Sequence, residues 1–257
     1  MKLTFLGTGT SQGVPVIGCR CEVCTSHDER DKRLRTSALL TTDEGLNVVF
    51  DTGPDFRQQM LREGITRLDA IVLTHGHTDH IGGMDDIRAY NFAEYPVIRT
   101  MDVYVPQHSA DHVRTVFDYA FEENRYRGVP EVALHITDDT PFKISCTEFI
   151  PVQGNHSRFA VTGYRVGRMA YLTDFKHISA EEEAKLRGVE TLVINALRWK
   201  AHDSHFSVDD ALRLIERIAP RRAFLTHMSH EIGLAADIDS RLPSGVRFAY
   251  DGLKVEI

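Results

Sequence analysis

Three histidines and an aspartate fall within six consecutive positions, and this cluster restricts what the chain can fold into more than any other feature. It lies in the segment IVLTHGHTDHIGG, residues 71–83, and consists of His75, His77, Asp79 and His80. Side chains two residues apart in an extended chain project to the same side, so His75 and His77 can bind one cation. Glycines in the segment permit a tight turn, after which Asp79 and His80 can face a second cation. The cluster predicts a two-metal site at the end of a strand.

Two alternative explanations compete with a metal site. The cluster could be a polar surface loop rich in histidine, or a set of core histidines that donate to backbone carbonyls. Its position favours the metal site, because it follows an apolar, strand-like run and precedes the glycine pair Gly82-Gly83.

Short apolar runs alternate with longer amphipathic stretches along the chain, which is typical of sheets covered by helices. Strands are predicted at Leu3–Gly7, Ser37–Thr41, Asn47–Phe50, Ala70–Leu73, Val103–Val105, Phe149–Val152, Thr162–Val166, Met169–Leu172, Thr191–Ile194, Arg222–Leu225 and Arg247–Tyr250. Helices are predicted at Phe56–Glu63, Asp85–Ala93, Ala110–Phe121, Ala180–Arg187 and Val208–Ile218. Ser207 is a good N-cap for the last of these. No long linker interrupts the pattern, so we expect one α/β domain over residues 1–257.

The composition is that of a globular protein with a sizeable core, since 42% of the residues are hydrophobic and 26% are charged. The net charge of −7 argues against stable binding of nucleic acid, which needs a basic surface. It does not exclude a small anionic substrate, because a metal and a few local positive groups hold such a ligand.

The N-terminus, MKLTFLGTGTSQG, has too short an apolar stretch for a signal peptide, and no segment reaches the roughly 20 apolar residues of a membrane span. Three of the four cysteines lie within six positions, unlike a secreted disulfide framework. We therefore expect a soluble cytoplasmic protein without membrane contact. A homodimer is the default expectation for its oligomeric state.

Four polar residues come just after predicted strands: Asp51, His75, Asp174 and His227. In α/β proteins loops converge at the carboxyl ends of the strands, and sites are placed there. Taken alone, Asp174 could be a turn former and His156 a surface residue. The placement shared by the four residues indicates that they form one site.

The run His75-Gly-His77-Thr-Asp79-His80 resembles the H-x-H-x-D-H signature of the metallo-β-lactamase superfamily. Other elements of that superfamily follow in the expected order, as FDTG with Asp51, QGNHS with His156, YLTD with Asp174 and FLTH with His227. The resemblance spans nearly the whole chain. It implies an α/β (α+β) fold in the form of a four-layer αββα sandwich.

The resemblance also implies a role for each of these residues. One metal would be bound by His75, His77 and His156, and the other by Asp79, His80 and His227. Asp174 would bridge the two metals, and Asp51 would orient a ligand. Sites of histidine and carboxylate accept Zn, Mn and Fe according to supply, so the expected cofactors are two divalent metals, Mn or Zn.

Two such cations about 4 Å apart would lower the pKa of a shared water and supply a bridging hydroxide near neutral pH. Hydrolysis of a phosphoester or an acyl bond follows from that chemistry. The leaving oxygen still needs an acid or a hydrogen-bond donor. His205, in the segment between a strand and a helix at residues 202–207, is the candidate, although it could simply pack on the helix. We expect catalysis to depend on His205, Asp79 and Asp51.

Residues 196–198 read A-L-R, and residues 205–207 read H-F-S. This pair of motifs resembles the phosphodiesterase branch that hydrolyses phosphoribosyl cyclic phosphates in the carbon-phosphorus lyase pathway, in which a histidine at this place assists catalysis. The implied substrate is a ribose 1,2-cyclic phosphate or a nucleoside 2′,3′-cyclic phosphate. Arg198 and Lys200 are candidate phosphate contacts, with solvated surface charge as the alternative for each.

The cysteines Cys19, Cys21 and Cys24 offer three thiolates in a compact loop, which suits a tetrahedral zinc that needs one more ligand. The alternative is three reduced thiols without metal. Cys146 lies in a strand-like stretch and is expected to be buried as a small hydrophobe. In the same phosphodiesterase branch, a histidine is the fourth zinc ligand beside three cysteines of this kind, which we call the cysteine knot. The resemblance places that histidine at His230. A structural zinc is therefore expected in addition to the two active-site metals.

The leading prediction is a metal-dependent phosphodiesterase for a small phosphorylated substrate. The alternatives among enzymes are a hydrolase of the kind found in pyrroloquinoline quinone biosynthesis and a tRNA 3′-processing nuclease. The acidic charge and the lack of a long basic insertion weaken the nuclease alternative. A non-catalytic metal-binding module is a further alternative.

Overall fold

Two seven-stranded sheets form the centre of the computed structural model, which describes residues 1–257. The strands are β1 (Lys2–Gly7), β2 (Ser37–Thr41), β3 (Asn47–Phe50), β4 (Ala70–Val72), β5 (Met101–Pro106), β6 (Val132–Thr137), β7 (Phe142–Ile144), β8 (Thr147–His156), β9 (Phe159–Val166), β10 (Met169–Leu172), β11 (Thr191–Asn195), β12 (Arg222–Thr226), β13 (Val246–Phe248) and β14 (Lys254–Glu256). The first sheet has the order β14-β1-β2-β3-β4-β5-β6, and the second has the order β13-β12-β11-β10-β9-β8-β7.

Each central strand is apolar on both faces, because both faces are covered. In β3, Val48 and Phe50 belong to the core between the sheets, whereas Val49 belongs to the core on the outer side. This alternation is the period of two expected of a strand. Across the interface the rings of Phe50 and Tyr171 stack with centroids 4.9 Å apart. The two sheets therefore share one apolar core.

Helices cover both outer faces and complete the αββα sandwich. They are α1 (Phe56–Glu63), α2 (Thr78–Ile81), α3 (Arg88–Asn91), α4 (Gln107–Val116), α5 (Asp118–Phe121), α6 (Ala180–Ala184), α7 (Val208–Ile218) and α8 (Ala235–Ile238). The helices α1 and α4 pack on the first sheet, and α7 packs on the second. None of the helices combines the length and apolar character needed to cross a membrane. The four-layer architecture implied by the sequence is confirmed.

The predicted strands are all present, and β6, β7 and β14 were not predicted. These three lie at or next to sheet edges, and β6 is largely half-buried or exposed, so its apolar signal is weak. Helices Phe56–Glu63 and Val208–Ile218 have the predicted bounds, the second with a capping box between Ser207 and Asp210.

Three helix predictions have wrong bounds. The stretch predicted as Ala110–Phe121 begins earlier, at Gln107, and is divided because Phe117 leaves the helical region with φ −115° and ψ 35°. The stretch predicted as Asp85–Ala93 is a 3₁₀ turn, Met84–Ile87, followed by α3. The helix predicted at Ala180–Arg187 ends at Ala184.

The pairing of strands brings several carboxyl ends to one edge of the sandwich. Strands β3 and β4 are parallel in the first sheet, and β10, β11 and β12 are parallel in the second. Hydrogen bonds join the sheets at this edge: the Tyr164 hydroxyl donates to the Leu73 carbonyl at 2.8 Å, and the Thr162 amide donates to the Thr74 carbonyl at 3.0 Å. The loops after these strands therefore meet.

Candidate active site

Three of the predicted site residues occupy left-handed backbone positions at the ends of strands. Asp51, Asp174 and His227 follow β3, β10 and β12 and have φ values of 62°, 62° and 56°. Residues other than glycine seldom adopt this conformation, and it clusters at functional sites. At all three positions the chain turns as it leaves the sheet, and the three side chains are buried at the same edge.

His75, His77 and His156 form one half of the site. The Nε2 atom of His75 lies 2.9 Å from Nδ1 of His77, and the ring centroids of His77 and His156 are 5.1 Å apart. The Nδ1 atom of His156 donates to the carbonyl of Ser204 at 2.8 Å. Since a carbonyl can only accept, the proton lies on Nδ1 and the Nε2 lone pair of His156 is free for a metal.

The other half is formed by His80 and His227 around two carboxylates. His80 Nε2 lies 3.3 Å from Asp79 Oδ2 and 3.1 Å from Asp174 Oδ2. His227 Nε2 lies 3.1 Å from the other oxygen of Asp174, Oδ1, and 3.9 Å from Asp79 Oδ2. Asp174 thus presents one oxygen to each histidine.

Asp51 fixes the orientation of His80. Its carboxylate accepts hydrogen bonds from the Thr74 amide and the Thr74 hydroxyl, both at 2.8 Å, and from His80 Nδ1 at 2.7 Å. Because Asp51 holds one proton on Nδ1, Nε2 is the nitrogen of His80 that can bind a metal. The Thr74 hydroxyl also lies 3.1 Å from Nδ1 of His75, so one threonine contacts both halves of the site.

The charges of the site are strongly coupled. Burial opposes it, but the carboxylates of Asp174, Asp79 and Asp51 raise the pKa of His80 well above its ordinary value. Against the effect of burial, the charge of His80 lowers the pKa of Asp79, and those of His227 and His80 lower the pKa of Asp174. Burial raises the pKa of Asp51. The protonated His80 ring balances the charge of three buried carboxylates. A divalent cation bound at Nε2 would take the place of the second proton of this ring.

The donor atoms fit metal ions. Nε2 of His80 and both ring nitrogens of His227 are buried without a hydrogen-bond partner, so these polar atoms are costly to bury unless a ligand satisfies them. Close groups of donor atoms include His75, His80 and Asp174, and Asp79, His80 and His227. Imidazole and carboxylate donors suit Zn, Mn and Fe. The structure brings all seven predicted ligands together, and their binding of metal stays a prediction.

His205 lies in the same cluster. Its ring centroid is 4.2 Å from that of His156 and 4.8 Å from that of His227, and its Nδ1 is 3.6 Å from Asp174 Oδ1. That nitrogen has no hydrogen-bond partner. Burial, together with the charge of His227, lowers the pKa of His205 to about 3. The side chain is therefore neutral near pH 7 and faces the carboxylate that both halves share.

The two predicted phosphate contacts, Arg198 and Lys200, differ in their surroundings. The Arg198 guanidinium forms an ion pair with Glu231, which immediately follows His230. Lys200 is exposed and forms no ion pair within 4.0 Å. That Arg198 and Lys200 contact phosphate stays a prediction.

Several residues that orient the predicted metal-binding side chains were not predicted from the sequence. Besides Thr74 and Ser204, Asn195 accepts from the Phe175 amide at 2.8 Å and donates to the Phe175 carbonyl at 3.0 Å, which fixes the backbone just after Asp174. A signal existed for Asn195, since it is a polar residue that ends the apolar run TLVIN. The carbonyl of Ser204 left no signal, because any residue supplies a carbonyl.

The cysteine cluster converges on His230 as predicted. Its Nδ1 lies 3.4 Å, 3.3 Å and 3.6 Å from the sulfur atoms of Cys19, Cys21 and Cys24. The Cys24 amide and His230 lower the pKa of Cys21 to about 6, whereas burial raises that of Cys24 to about 11. Three sulfurs and one imidazole nitrogen at these distances fit a tetrahedral zinc.

Cys146 is exposed, so the prediction of a buried small hydrophobe is wrong. It lies in the turn between β7 and β8, next to Ser145 with its positive φ of 55°, and its amide donates to Glu44 at 3.3 Å. The strand-like stretch around it is a hairpin with a tight turn at Cys146, which leaves the thiol outside the core.

Comparisons with known proteins agree with the fold. Residues 46–228 match the family model of a beta-lactamase superfamily domain. The whole chain is 41% identical to a protein named octanoyltransferase from Porphyromonas gingivalis, of which it spans 52%. Over 34% of its length it is 31% identical to coenzyme PQQ synthesis protein B of Methylobacterium radiotolerans, and it spans 34% of that protein. The chain thus spans about half the length, or less, of these curated relatives.

Among solved structures, a new diphosphatase from the PhnP family has 39% sequence identity and a TM-score of 0.92. The comparison covers 100% of this chain and 97% of the diphosphatase. Zn²⁺-bound PqqB from Methylobacterium extorquens superimposes with a TM-score of 0.73 at 17% identity, which shows a shared fold.

Proposed function

The chain belongs to the β-lactamase superfamily and, within it, to the PhnP family, and we propose that it is a metal-dependent phosphodiesterase of small cyclic phosphates. The observation that carries this proposal is the position of Asp174 between the two halves of the site: its oxygens face His80 and His227 in one half, and its carboxylate also lies within 4.8 Å of a ring nitrogen of His75 in the other. The substrates proposed are ribose 1,2-cyclic phosphates and nucleoside 2′,3′-cyclic phosphates.

Two divalent cations, Mn or Zn, held by these residues would supply a water of lowered pKa and neutralise charge on a phosphate oxygen. His75, His77 and His156 would hold one cation, Asp79, His80 and His227 the other, and Asp174 both. The chain contributes their orientation. Asp51 and Thr74 keep the proton of His80 on Nδ1, and the Ser204 carbonyl does the same for His156. Each histidine then keeps Nε2 unprotonated and aimed into the site.

His205 is the group assigned to the departing oxygen. Hydrolysis of a phosphodiester leaves an alkoxide that needs a proton or a hydrogen bond. A neutral imidazole carries one N–H. Burial keeps the His205 ring neutral, and its Nδ1 has no hydrogen-bond partner within the protein. The same burial excludes water from the donor, which strengthens a hydrogen bond to a developing negative charge.

We assign the cluster of Cys19, Cys21, Cys24 and His230 to one structural zinc. The Cys24 amide donates to Cys21 Sγ at 3.5 Å, and the Val16 amide donates to Cys24 Sγ at 3.3 Å. Amides that donate to sulfur stabilise thiolates, which are the form that binds zinc. All four protein ligands are present, so no position is left open for a substrate.

Octanoyl transfer suits this site less well. An eight-carbon chain needs an apolar channel. The cavity beside His75 and His77 is lined by histidine, arginine and serine, with Phe159 as its only large apolar side chain. The octanoyltransferase of P. gingivalis is also about twice as long as this chain. The activity in its name therefore refers to a protein of which this chain matches only about half.

The test is hydrolysis by the purified protein loaded with Mn²⁺ or Zn²⁺. Ribose 1,2-cyclic phosphate and nucleoside 2′,3′-cyclic phosphates are compared with an octanoyl thioester and a tRNA precursor. Asp79→Ala and His205→Ala should each lower kcat for the cyclic phosphates by at least about 100-fold while the melting temperature stays close to that of the parent. The control is Asp209→Ala, an exposed carboxylate on α7. Full activity in both site variants, or turnover of the thioester or the tRNA alone, would refute the proposal.

A further inference from the structure

The segment between β11 and α7 contains the loop 198–205, which carries His205 and which we call the His205 loop. The loop is closed at its base, because the Leu197 amide donates to the Phe206 carbonyl at 3.0 Å. The Phe206 amide in turn donates to the carbonyl of Phe175, the residue after Asp174, at 2.8 Å. The base is thus fixed to the sheet edge that bears the site, and the contacts within the loop decide where its far side lies.

Within the loop, His202 accepts two hydrogen bonds from Ser204. The amide nitrogen of Ser204 lies 3.2 Å from Nδ1 of His202, and the Ser204 hydroxyl lies 3.1 Å from the same atom. Because an amide can only donate, Nδ1 is unprotonated and the hydroxyl also donates to it. Asparagine and aspartate make the same contact when their side-chain oxygen accepts from the amide two residues further along the chain. The imidazole of His202 therefore closes a tight turn over residues 202–204.

Ser204 transmits this constraint to a proposed metal ligand. Its carbonyl accepts the hydrogen bond of His156 Nδ1 at 2.8 Å. Such a bond sets both the orientation of an imidazole and the nitrogen that carries its proton. Ser204 is thus held by His202 on one side and holds His156 on the other.

The ring of His202 also packs beside His205. The centroids of these two rings are 5.5 Å apart with an interplanar angle of 28°, and the His205 ring lies 4.2 Å from that of His156 on another side. His202 is half-buried, although its neighbours Ala201 and Asp203 are exposed. Its ring is therefore turned inward, toward His205.

The protonation state of His202 agrees with its role as an acceptor. Burial, followed by the positive charge of Arg198, lowers the pKa of His202 below its ordinary value. The ring is neutral near pH 7, so Nδ1 keeps the lone pair that the amide and hydroxyl of Ser204 need.

We propose that His202 is a positioning residue, which accepts from Ser204 at Nδ1 and so holds the turn that orients His156 and places His205. The proposal rests on the proposed function, in which His156 binds a metal and His205 assists the departing oxygen. It requires an acceptor at the position of Nδ1 and no contact of His202 with metal or substrate.

Two substitutions at His202 isolate the acceptor. His202→Asn keeps an acceptor oxygen that can close the same turn, whereas His202→Leu keeps bulk but removes the acceptor. The leucine variant should bind the metal held by His156 about 10-fold more weakly, as competition of Mn²⁺ with a chelating indicator measures. Its kcat for a nucleoside 2′,3′-cyclic phosphate should fall by about 10-fold, with KM changed less than about threefold.

The asparagine variant should return both the metal affinity and kcat to within about threefold of the parent. The control is His135→Leu, which removes an exposed histidine on β6 and should change neither quantity.

Parent-like metal affinity in His202→Leu would overturn the proposal, because His156 would then be held without His202. An asparagine variant as impaired as the leucine variant would also overturn it, since His202 would then act through Nε2 or through its ring. If the parent hydrolyses no cyclic phosphate, the phosphodiesterase is refuted, while the metal titrations still decide the role of His202. Normal hydrolysis by the parent, together with an unaffected His202→Leu, would do the reverse.

Discussion

The carboxylate of Asp51 accepts a hydrogen bond of 2.7 Å from Nδ1 of His80, and both side chains are buried. Asp51 is the residue that follows β3, and His80 lies 29 positions further along the chain. Because the bond fixes the proton of the ring on Nδ1, it leaves Nε2 directed at Asp79 and Asp174. We therefore propose that Asp51 supports metal binding by orienting His80, without being a ligand itself.

Asp51→Asn should weaken one of the two metals selectively. Asparagine tolerates the left-handed backbone of this position, but its amide nitrogen would donate toward the ring and favour the wrong tautomer of His80. We expect about 10- to 100-fold lower affinity for the metal held by His80, and little change for the other metal. Metal content after stepwise chelation measures both. Asp209→Asn is the matched control, and equal loss of both metals, or of neither, would contradict this assignment.

Cys24→Ser should remove one metal per chain and leave the active-site metals in place. Cys24 is buried in the knot with His230, whereas Cys146 is exposed in a turn, so Cys146→Ser is the control for loss of a thiol. Zinc by mass spectrometry should fall by one equivalent in the first variant alone, with a lower melting temperature, because zinc binding contributes to folding. Identical metal content in the two variants would show that the knot holds no metal.

Gly83→Ala should destabilise the protein through the loop that carries the metal ligands. A Cβ at this position would lie 2.1 Å from the Gly53 carbonyl oxygen, a backbone atom that cannot rotate away. We expect a loss of about 1–3 kcal/mol in the free energy of unfolding. Gly188→Ala is the comparison, because its Cβ would meet no atom within 4 Å and only its positive φ of 79° opposes the change. Urea denaturation should rank Gly83→Ala below Gly188→Ala, and the reverse order would be inconsistent with the close packing.

Asp251 gives a pH-dependent contribution to stability. Burial raises its pKa from the ordinary 3.8 to about 6, although it accepts hydrogen bonds from the Thr8 hydroxyl and the Leu34 amide. Between these two pKa values the folded chain binds more proton than the unfolded chain. The contribution of Asp251 is therefore full below pH 3.8 and is lost as the pH rises through 6.

Asp251→Asn does not titrate, so its stability relative to the parent should improve by about 2 kcal/mol between pH 4.5 and pH 7.5. Urea denaturation of both proteins at the two pH values gives the difference, and effects of the histidines cancel because the two proteins share them. A difference that does not change with pH would mean that the carboxyl of Asp251 titrates normally.

The architecture followed from local apolar patterns in the sequence, and the predicted metal ligands followed from the spacing of His75 to His80 together with the resemblance to the superfamily. Continuous apolar runs in β3 and β11 marked strands covered on both faces. The two-residue spacing of His75 and His77 placed both side chains on one side of the chain. The bounds of α4 did not follow, since Phe117 is apolar and fits a helical period, yet packs in the core outside helical geometry. The prediction that Cys146 is buried was wrong for a related reason. The hairpin turn beside it contains no glycine or proline, so the sequence does not indicate a turn there.

The supporting contacts of the site depend on tertiary structure. The carbonyl that accepts the hydrogen bond of His156 belongs to Ser204, 48 residues away. The ion pair between Arg198 and Glu231 likewise forms only in the folded chain. Which partner a charged side chain contacts therefore depends on the tertiary structure.

The most direct test of the two-metal site is an anomalous-scattering map from crystals of the protein purified without chelators. We expect two neighbouring peaks, one among His75, His77 and His156 and the other among Asp79, His80 and His227, with Asp174 in contact with both. A single peak, or no peak among these residues, would contradict it.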